Sequence, residues 1–409
     1  MKTKWKTLAL FCGLALSPLS SGIEIQIKAN ELNQKNLILG DFSGEEALKL
    51  NVYNTLSDFN NLKVSLKEEK CKNVSKHFDT SYYCVDLSTK DGVTKGSVYE
   101  KFGNRNHAKT NFHQVLENTK DKKVAYSMSN MIYKSIFKKE TVLNKKLAYV
   151  QRKSFENGSK IFNLKVSDYK GKNSVTLLAS PQPIMSIDWS PDNKKLAYVS
   201  YEKVRSNVFI QDLETGARKR ITSFKGINAF PSWSPNGQNI ALSLSKDGSS
   251  DIYIYNLAKN HLKKITNFKY EATEPVWISN TELLFTSDRD SNPYLYSLNL
   301  KTKKVKELSK DFLYSTSAKT NNKMDKAYSI FSKSGTSGIL EINVKNREER
   351  VLVTDFFAES PSVGAGDETI IYSTKKQDTS ILRAVDLKGK VIYEINSTET
   401  DLKEPAYSN

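Results

Sequence analysis

Four histidines and two glycine-containing segments are the first candidates for enzyme chemistry in the sequence. None of the four histidines has the spacing to a cysteine or carboxylate that a protein metal site uses, so we interpret them as lone side chains. The nearest segment to a nucleophile elbow, residues 92–96, has Thr94 at its centre and is typical of a hairpin. The glycine pair at 364–366 lacks the third glycine of a dinucleotide loop. The histidines are His77, His107, His113 and His261.

Aspartates between short strands are the remaining candidates for chemistry. Asp247 and Asp288 each stand in a polar segment that joins two apolar runs. Because aspartate is a common turn former, this placement favours a turn over a calcium or catalytic role. We therefore predict no enzyme activity, no cofactor and no metal, and a function that depends on binding surfaces.

A pattern around three tryptophans organises the second half of the chain. Trp189, Trp233 and Trp277 follow one another at a spacing of 44 residues, and Ser-Pro follows the first two. The repeat around Trp233 divides into four short strands, over residues 231–233, 240–244, 251–257 and 262–266. Four strands in a period of this length indicate one blade of a β-propeller, with the indole wedged between blades.

The two ends of the repeat array complement each other. Residues 144–150 are identical to residues 193–199, so the first blade begins at its second strand. The C-terminal residues 404–408 resemble residues 274–278 and keep the register, with Tyr407 at the tryptophan position. We predict that this segment is the missing strand and closes a ring of six blades, which removes exposed edges. In the fifth blade we expect a degenerate anchor near Asn321.

The segment before the repeats mixes strands and helices. Residues 37–40, 64–66, 82–87, 93–102 and 109–116 have the character of strands, and residues 44–59 and 124–138 have apolar residues at helical spacing. We predict an α/β N-terminal domain over residues 23–138, followed by an all-β propeller over residues 139–409.

The N-terminus has the character of an export signal. Lys2, Lys4 and Lys6 precede a short apolar run, and the small residues Ser20 and Gly22 suit cleavage before residue 23. We predict a signal peptide over residues 1–22; a retained anchor is the alternative. Cys71 and Cys84 then remain as a pair, either joined in a disulfide or present as two free thiols.

The formal net charge of +17 favours acidic partners or surfaces, or else belongs to a solvated lysine-rich surface. No basic run is interleaved with aromatics, so we predict no nucleic-acid binding. On one propeller face, the links between blades place Ile227 and Phe230 beside Thr273 and Glu274 at the channel mouth. Such a mixture suits a protein or peptide ligand, unless Phe230 only packs under its own loop.

The order of these features resembles the TolB family of the Tol–Pal system. An exported α/β domain precedes six repeats with Trp-Ser-Pro motifs and a closing Glu-Pro-Ala-Tyr-Ser strand, and the likeness covers essentially the whole mature chain. Blades five and six depart from the pattern because they lack the tryptophan.

The resemblance implies two partners and a role. The N-terminal segment would bind TolA, and its alternating pattern suits addition to a sheet edge. The channel mouth would bind Pal through Ile227, Phe230, Thr273 and Glu274. The implied protein is a periplasmic monomer, linked peripherally to peptidoglycan and outer membrane, that supports envelope integrity and constriction at division. The TolA-binding residues would be Ile23, Glu24, Ile25, Gln26 and Ile27.

Two alternatives to this scaffold function remain. An exported binder of carbohydrate or peptidoglycan would use the basic surface. A propeller hydrolase would need a hydrolase domain or a metal-lined channel, and the sequence offers neither.

Overall fold

The structure is a computed structural model, and the segments it describes exclude the N-terminal 34 residues. The predicted signal peptide, the predicted TolA-binding residues Ile23–Ile27 and His77 lie outside the described residues. The described ranges are 35–43, 46–57, 62–71, 73, 82–90, 93–102, 105–115, 122–138, 143, 145–203, 205–309, 311–312, 314–364 and 368–409.

The N-terminal unit is a five-stranded sheet covered by two helices. Strand order is β2-β1-β3-β4-β5, with β1 parallel to both neighbours and β3 to β5 antiparallel. The apolar faces of both helices, including Leu48, Val52, Met128 and Ile132, are buried against the sheet. The elements are β1 (Lys35–Ser43), α1 (Glu46–Ser57), β2 (Leu62–Leu66), β3 (Tyr82–Lys90), β4 (Val93–Phe102), β5 (Arg105–Val115) and α2 (Lys122–Phe137).

A disulfide joins Cys71 to Cys84 on β3 in this unit. The two Cα atoms are 5.7 Å apart, and both residues are fully buried. Asp86 accepts the backbone N–H of Cys71 at 2.9 Å, and the Lys101 ammonium donates to the carbonyl of Cys71. The bond therefore fixes the segment after β2 to the centre of the sheet, with polar partners on both sides.

The rest of the described chain forms six four-stranded antiparallel sheets, the fold predicted from the repeats. The innermost strands, β9, β13, β17, β21, β25 and β29, contact one another in a ring around a central channel. The strands are β6 (Lys146–Ser154), β7 (Lys160–Asp168), β8 (Val175–Ser180), β9 (Ile184–Trp189), β10 (Lys195–Lys203), β11 (Arg205–Asp212), β12 (Arg218–Arg220), β13 (Asn228–Trp233), β14 (Asn239–Asp247), β15 (Ser249–Asn256), β16 (His261–Lys264), β17 (Ala272–Ser279), β18 (Glu282–Ser287), β19 (Tyr294–Asn299), β20 (Val305–Glu307), β21 (Tyr314–Thr320), β22 (Lys326–Lys333), β23 (Thr336–Asn343), β24 (Glu349–Thr354), β25 (Glu359–Val363), β26 (Thr369–Lys376), β27 (Thr379–Asp386), β28 (Val391–Ile395) and β29 (Thr400–Tyr407).

Ring closure follows the prediction from the chain ends. The C-terminal β29 pairs antiparallel with β6, and the sheet β29-β6-β7-β8 forms the first blade. Leu402 of β29 is 3% exposed and packs with Leu147, Ile371 and Leu382 from two blades. The first blade is thus built from both ends of the array.

The tryptophans wedge between blades as predicted. Trp189 and Trp277 are each 3% exposed. The Trp189 indole N–H donates to the carbonyl of Ala406 at 2.8 Å, and that of Trp277 donates to the carbonyl of Ser232 at 3.1 Å. Each of these indoles therefore joins its blade to the innermost strand of the preceding one.

The degenerate anchor expected near Asn321 in the fifth blade lies one residue earlier, at Thr320. The N–H of Asn321 donates to the carbonyl of Lys326, the bond that Ser190 makes with Lys195. Asn321 therefore occupies the position of the serine that follows tryptophan, and Thr320 occupies the tryptophan position. The fourth repeat is one residue shorter than the two before it because the turn between its first two strands is shorter. Trp277 pairs with Leu283, six residues later, whereas Trp233 pairs with Ile240, seven residues later.

The N-terminal unit contacts turns at one end of the propeller. The ring of Tyr126 on α2 lies 5.8 Å from that of Tyr169, in the turn after β7. The Tyr133 hydroxyl donates to the carboxylate of Glu368, in the turn before β26, at 3.4 Å. The opposite end of the channel is therefore free of these contacts. The domain boundary predicted at residues 138 and 139 stays a prediction. Within the described ranges, no helix is long and apolar enough to cross a membrane.

Removing the Leu402 side chain should destabilise the closed ring. Leu402→Ala leaves a cavity between the first and last blades, and we expect a loss of about 2–5 kcal/mol in the free energy of unfolding. Urea unfolding followed by tryptophan fluorescence measures it. Val391→Ala on β28, where the valine is 46% exposed, is the control and should change stability by less than about 0.5 kcal/mol. Equal losses in the two variants would contradict the closing role of β29.

Candidate partner-binding site

A repeated backbone irregularity shapes the channel end that faces away from the N-terminal unit. In each innermost strand one residue has a left-handed backbone, with φ between 49° and 56°, and the pairing register shifts at that point in a β-bulge. Proline follows in four of the six strands, so the amide after the bulge needs no acceptor there. The six residues are Ser186, Phe230, Glu274, Ser317, Ser360 and Glu404.

These bulges surround a cavity of about 170 Å³ at the channel mouth. All six left-handed residues line it, together with the residue that follows each, and Lys319 lies at its inner end. The cavity is concave and mixes proline rings with hydroxyl and carboxylate groups. Such a shape suits a protruding part of a protein partner more than a flat contact.

Two glutamates hold the ring of bulges together. Glu274 accepts the backbone N–H of Ser317 at 2.8 Å, its hydroxyl at 2.8 Å and the hydroxyl of Thr286 at 2.7 Å. Glu404 accepts the backbone N–H of Ser186 at 2.8 Å. Each carboxylate therefore satisfies an amide of the next blade that the bulge has removed from the sheet ladder.

Burial affects the ionisation of one of these carboxylates. Desolvation at the channel raises the pKa of Glu404, although the Ser186 amide, the Ser360 hydroxyl and Lys319 act in the opposite direction. The cost of burying the charge outweighs these favourable contacts, so ionisation of Glu404 is disfavoured in the folded protein.

An ion pair crosses the channel below the mouth. The Lys319 ammonium on β21 lies 2.9 Å from the Asp188 carboxylate on β9, the strand diametrically opposite in the ring. The other Asp188 oxygen accepts the backbone N–H of Trp233 at 2.8 Å. The pair separates the mouth cavity from a second cavity of about 220 Å³ at the other end. The mouth is therefore a cup with this ion pair at its base.

Apolar side chains are exposed around the mouth. Ile227 is 48% exposed in the link before β13, and Phe356 is 71% exposed in the link before β25. Links and hairpins at this same end also expose Phe155, Phe224, Tyr270 and Phe357. Exposed aromatic and aliphatic groups around a concave centre are typical of a protein-docking surface.

The structure brings the predicted mouth residues to one end of the channel, in different environments. Phe230 lines the cavity and also packs against the cluster of Val199 and Val208, so its ring serves both roles that the sequence left open. Glu274 lines the cavity with both oxygens in internal hydrogen bonds, and Ile227 lies on the rim. Thr273, half-buried and paired in register with Thr286, does not line the cavity. Their contact with a partner stays a prediction.

Lys319, Ser317 and Phe224 are mouth or channel residues that the sequence reasoning missed. Counting the fourth repeat as 43 residues would have aligned Lys319 with Asp188, and Ser317 with Phe230. No repeat alignment identifies Phe224, because the exposure of its side chain depends on the backbone path of the link between β12 and β13. Among the described residues, no group of three or more His, Cys, Asp or Glu is placed to hold a metal ion.

Comparison with known families decides the classification. The sequence pattern described as the TolB beta propeller domain matches residues 133–409. The chain belongs to the TolB beta propeller family. The match covers every blade, the closing strand and the ring of bulges.

Curated relatives match over a shorter part. The chain is 44% identical over 106 residues to the Tol-Pal system protein TolB of Xylella fastidiosa (strain M12), covering 26% of this chain and 24% of that protein. It is 40% identical over 106 residues, with the same coverage, to the protein of that name from Nitrosococcus oceani. The aligned part thus spans about a quarter of the length of these relatives.

Solved structures resemble the fold over all or part of its length. TolB from Acinetobacter baumannii has a TM-score of 0.78 at 24% identity, with 92% of this chain and 96% of that one covered. A chain of a nidogen–laminin complex has a TM-score of 0.52 at 12% identity, covering 65% of this chain and 98% of that one. The first likeness includes the N-terminal unit, and the second is limited to the propeller architecture.

Glu404 should make stability depend on pH. Because its pKa is raised in the folded state, the folded protein holds this proton more tightly than the unfolded chain, so this group's contribution to stability falls as pH rises above the ordinary glutamate pKa. Glu404→Gln keeps an acceptor without the charge, and we expect its stability relative to the original protein to increase from about pH 4 to about pH 7. Thermal unfolding across this range measures the difference.

The control for Glu404→Gln is the same substitution at the exposed Glu399, which removes one charge and leaves the mouth unchanged. A difference between Glu404→Gln and the original protein that stays constant with pH would contradict the raised pKa.

Proposed function

We propose that this protein is a periplasmic scaffold of the Tol–Pal system that binds Pal at the propeller mouth and TolA through its N-terminal segment. In this role it supports outer-membrane integrity and constriction at cell division. It acts as a monomer, performs no catalysis, and reaches peptidoglycan and the outer membrane only through Pal. Residues 1–22 serve as its export signal.

The cup at the channel mouth is the observation that carries the proposal. It has the Lys319–Asp188 pair at its base, is lined by the six bulges and is rimmed by exposed Phe and Ile. A preformed concave centre with apolar groups around it favours a folded partner, because little ordering is required on this side of the interface. Family membership and the names of the curated relatives support Pal as that partner.

The TolA contact rests on the sequence of residues 23–27. Ile23, Ile25 and Ile27 alternate with Glu24 and Gln26, the pattern of a strand that presents one apolar side. Such a segment adds to the open edge of a partner's sheet through main-chain hydrogen bonds.

Substitutions at the mouth should remove Pal and leave TolA. The double variant Ile227→Ala, Phe230→Ala deletes one rim and one cup side chain, and we expect at least about tenfold weaker Pal binding. Because Phe230 also packs in the interior, the single variant Ile227→Arg tests the rim without disturbing the core. Isothermal titration with purified Pal measures affinity, and a chain that starts at Lys35 should lose TolA alone.

Val175→Ala with Val351→Ala is the matched control, since it removes two exposed apolar groups from outer strands. Thermal unfolding of each variant identifies those that fail to fold. Pal binding by Ile227→Arg at the original affinity would remove the rim from the proposed interface. Absence of both Pal and TolA binding by the intact protein would overturn the scaffold function.

A further inference from the structure

The positive charge of the propeller is concentrated on the outer wall of three adjacent blades. In blades two to four, the turn before the outermost strand and that strand span residues 213–222, 257–266 and 300–309, with ten Lys and Arg against two Glu. The same segments of the other three blades, residues 169–180, 344–354 and 387–396, carry seven against three. The strands concerned, β12, β16 and β20, are each the last in their sheet.

Most of these cations have no acidic partner within the described parts of the chain. Two of the ten form ion pairs, Arg218 with Glu202 and Lys264 with Asp251. Lys219 donates to the side-chain oxygen of Asn260 at 2.5 Å, so the charged walls of blades two and three touch. The side chains without an ion pair are Lys219, Arg220, Lys259, Lys263, Lys301, Lys303, Lys304 and Lys306.

Protection of a sheet edge explains only part of this pattern. Lysines on an edge strand discourage pairing with another chain. The outer segments of the other three blades together carry fewer cations and more acids, and they expose Val175, Val351 and Val391. Edge protection therefore does not account for the difference between the two halves of the ring.

The chemistry of the patch favours an extended anionic surface over a discrete ligand. Among the residues that the structure describes, no large apolar side chain is exposed in the three segments, and the imidazole of His261 is the one exposed ring there, too little for a platform that stacks successive unpaired bases. The charges are separate points spread over a convex wall. Each Lys or Arg near an anionic membrane surface strengthens binding by about fivefold, and the contributions accumulate without a shaped pocket.

We propose that the outer wall of blades two to four binds the anionic headgroups of a phospholipid bilayer. The wall is separate from the channel mouth, and the contacts of the N-terminal unit described above are with the first and sixth blades. Docking there would leave the mouth accessible. The inference does not depend on the partners proposed above.

Charge removal on this wall should weaken membrane binding. The variant Lys263→Gln, Lys301→Gln, Lys303→Gln, Lys306→Gln is tested in the full chain by co-sedimentation with vesicles of phosphatidylglycerol and phosphatidylcholine in equal parts. We expect at least about tenfold weaker binding than for the original protein at low salt. Binding of the original protein should fall steeply as salt approaches physiological strength.

The matched control removes four exposed lysines from the other half of the ring, as Lys172→Gln, Lys345→Gln, Lys388→Gln, Lys390→Gln. It should retain binding within about threefold. Equal losses in both variants would show a diffuse effect of net charge and overturn the proposal. Binding to purified sacculi or duplex DNA without binding to the vesicles would also overturn it. Loss of vesicle binding in low millimolar inorganic phosphate would indicate a site for free phosphate instead and would also overturn the proposal.

Discussion

The pairing of β29 with β6 is the interaction on which the rest of the propeller depends. Without it, β6 would present an open edge at one end of the array, and β25 would lack its neighbour in the ring of innermost strands. The channel exists only when those six strands meet. The mouth, its cup and the ion pair across the channel therefore all follow from a contact between residues about 250 positions apart in the chain.

Closure sets a second requirement, because six innermost strands must converge at the mouth. The chain meets it with one left-handed residue and one bulge in each strand, although such a backbone costs about 1–2 kcal/mol for a residue other than glycine. Glu274 and Glu404 offset part of this cost by accepting the amides that the bulges free. The proposed binding surface is thus a product of the same irregularity that lets the strands converge.

Much of this arrangement could be predicted from the sequence. The tryptophan period and the duplicated segment at residues 144–150 were sufficient to predict six blades and a closing strand, because each sequence repeat corresponds to one packed structural unit. The missing residue in the fourth repeat was not visible, since Thr320 and Asn321 both differ from the pattern. Lys319 and Asp188 face each other only because the ring has an even number of blades, so a correct register was needed before their contact could be anticipated.

The mouth was harder to predict in detail than the fold. Phe230 and Ile227 are close in sequence and similar in character, yet one lines the cup and packs inward while the other is exposed on the rim. That difference depends on the left-handed backbone at Phe230, which no periodicity encodes. The sequence likewise gives no sign that the carboxylate of Glu274 is already hydrogen-bonded within the protein. In the structure it accepts hydrogen bonds from Ser317 and Thr286.

The composite first blade also decides how the molecule bears load. The chain passes from α2 into β6, so tension on the N-terminal unit enters the ring through a strand that lies between β29 and β7. Tension directed along β6 would load the hydrogen bonds of both ladders together in shear, and they would not open one after another. The seam that closes the ring is thereby also its mechanical anchor.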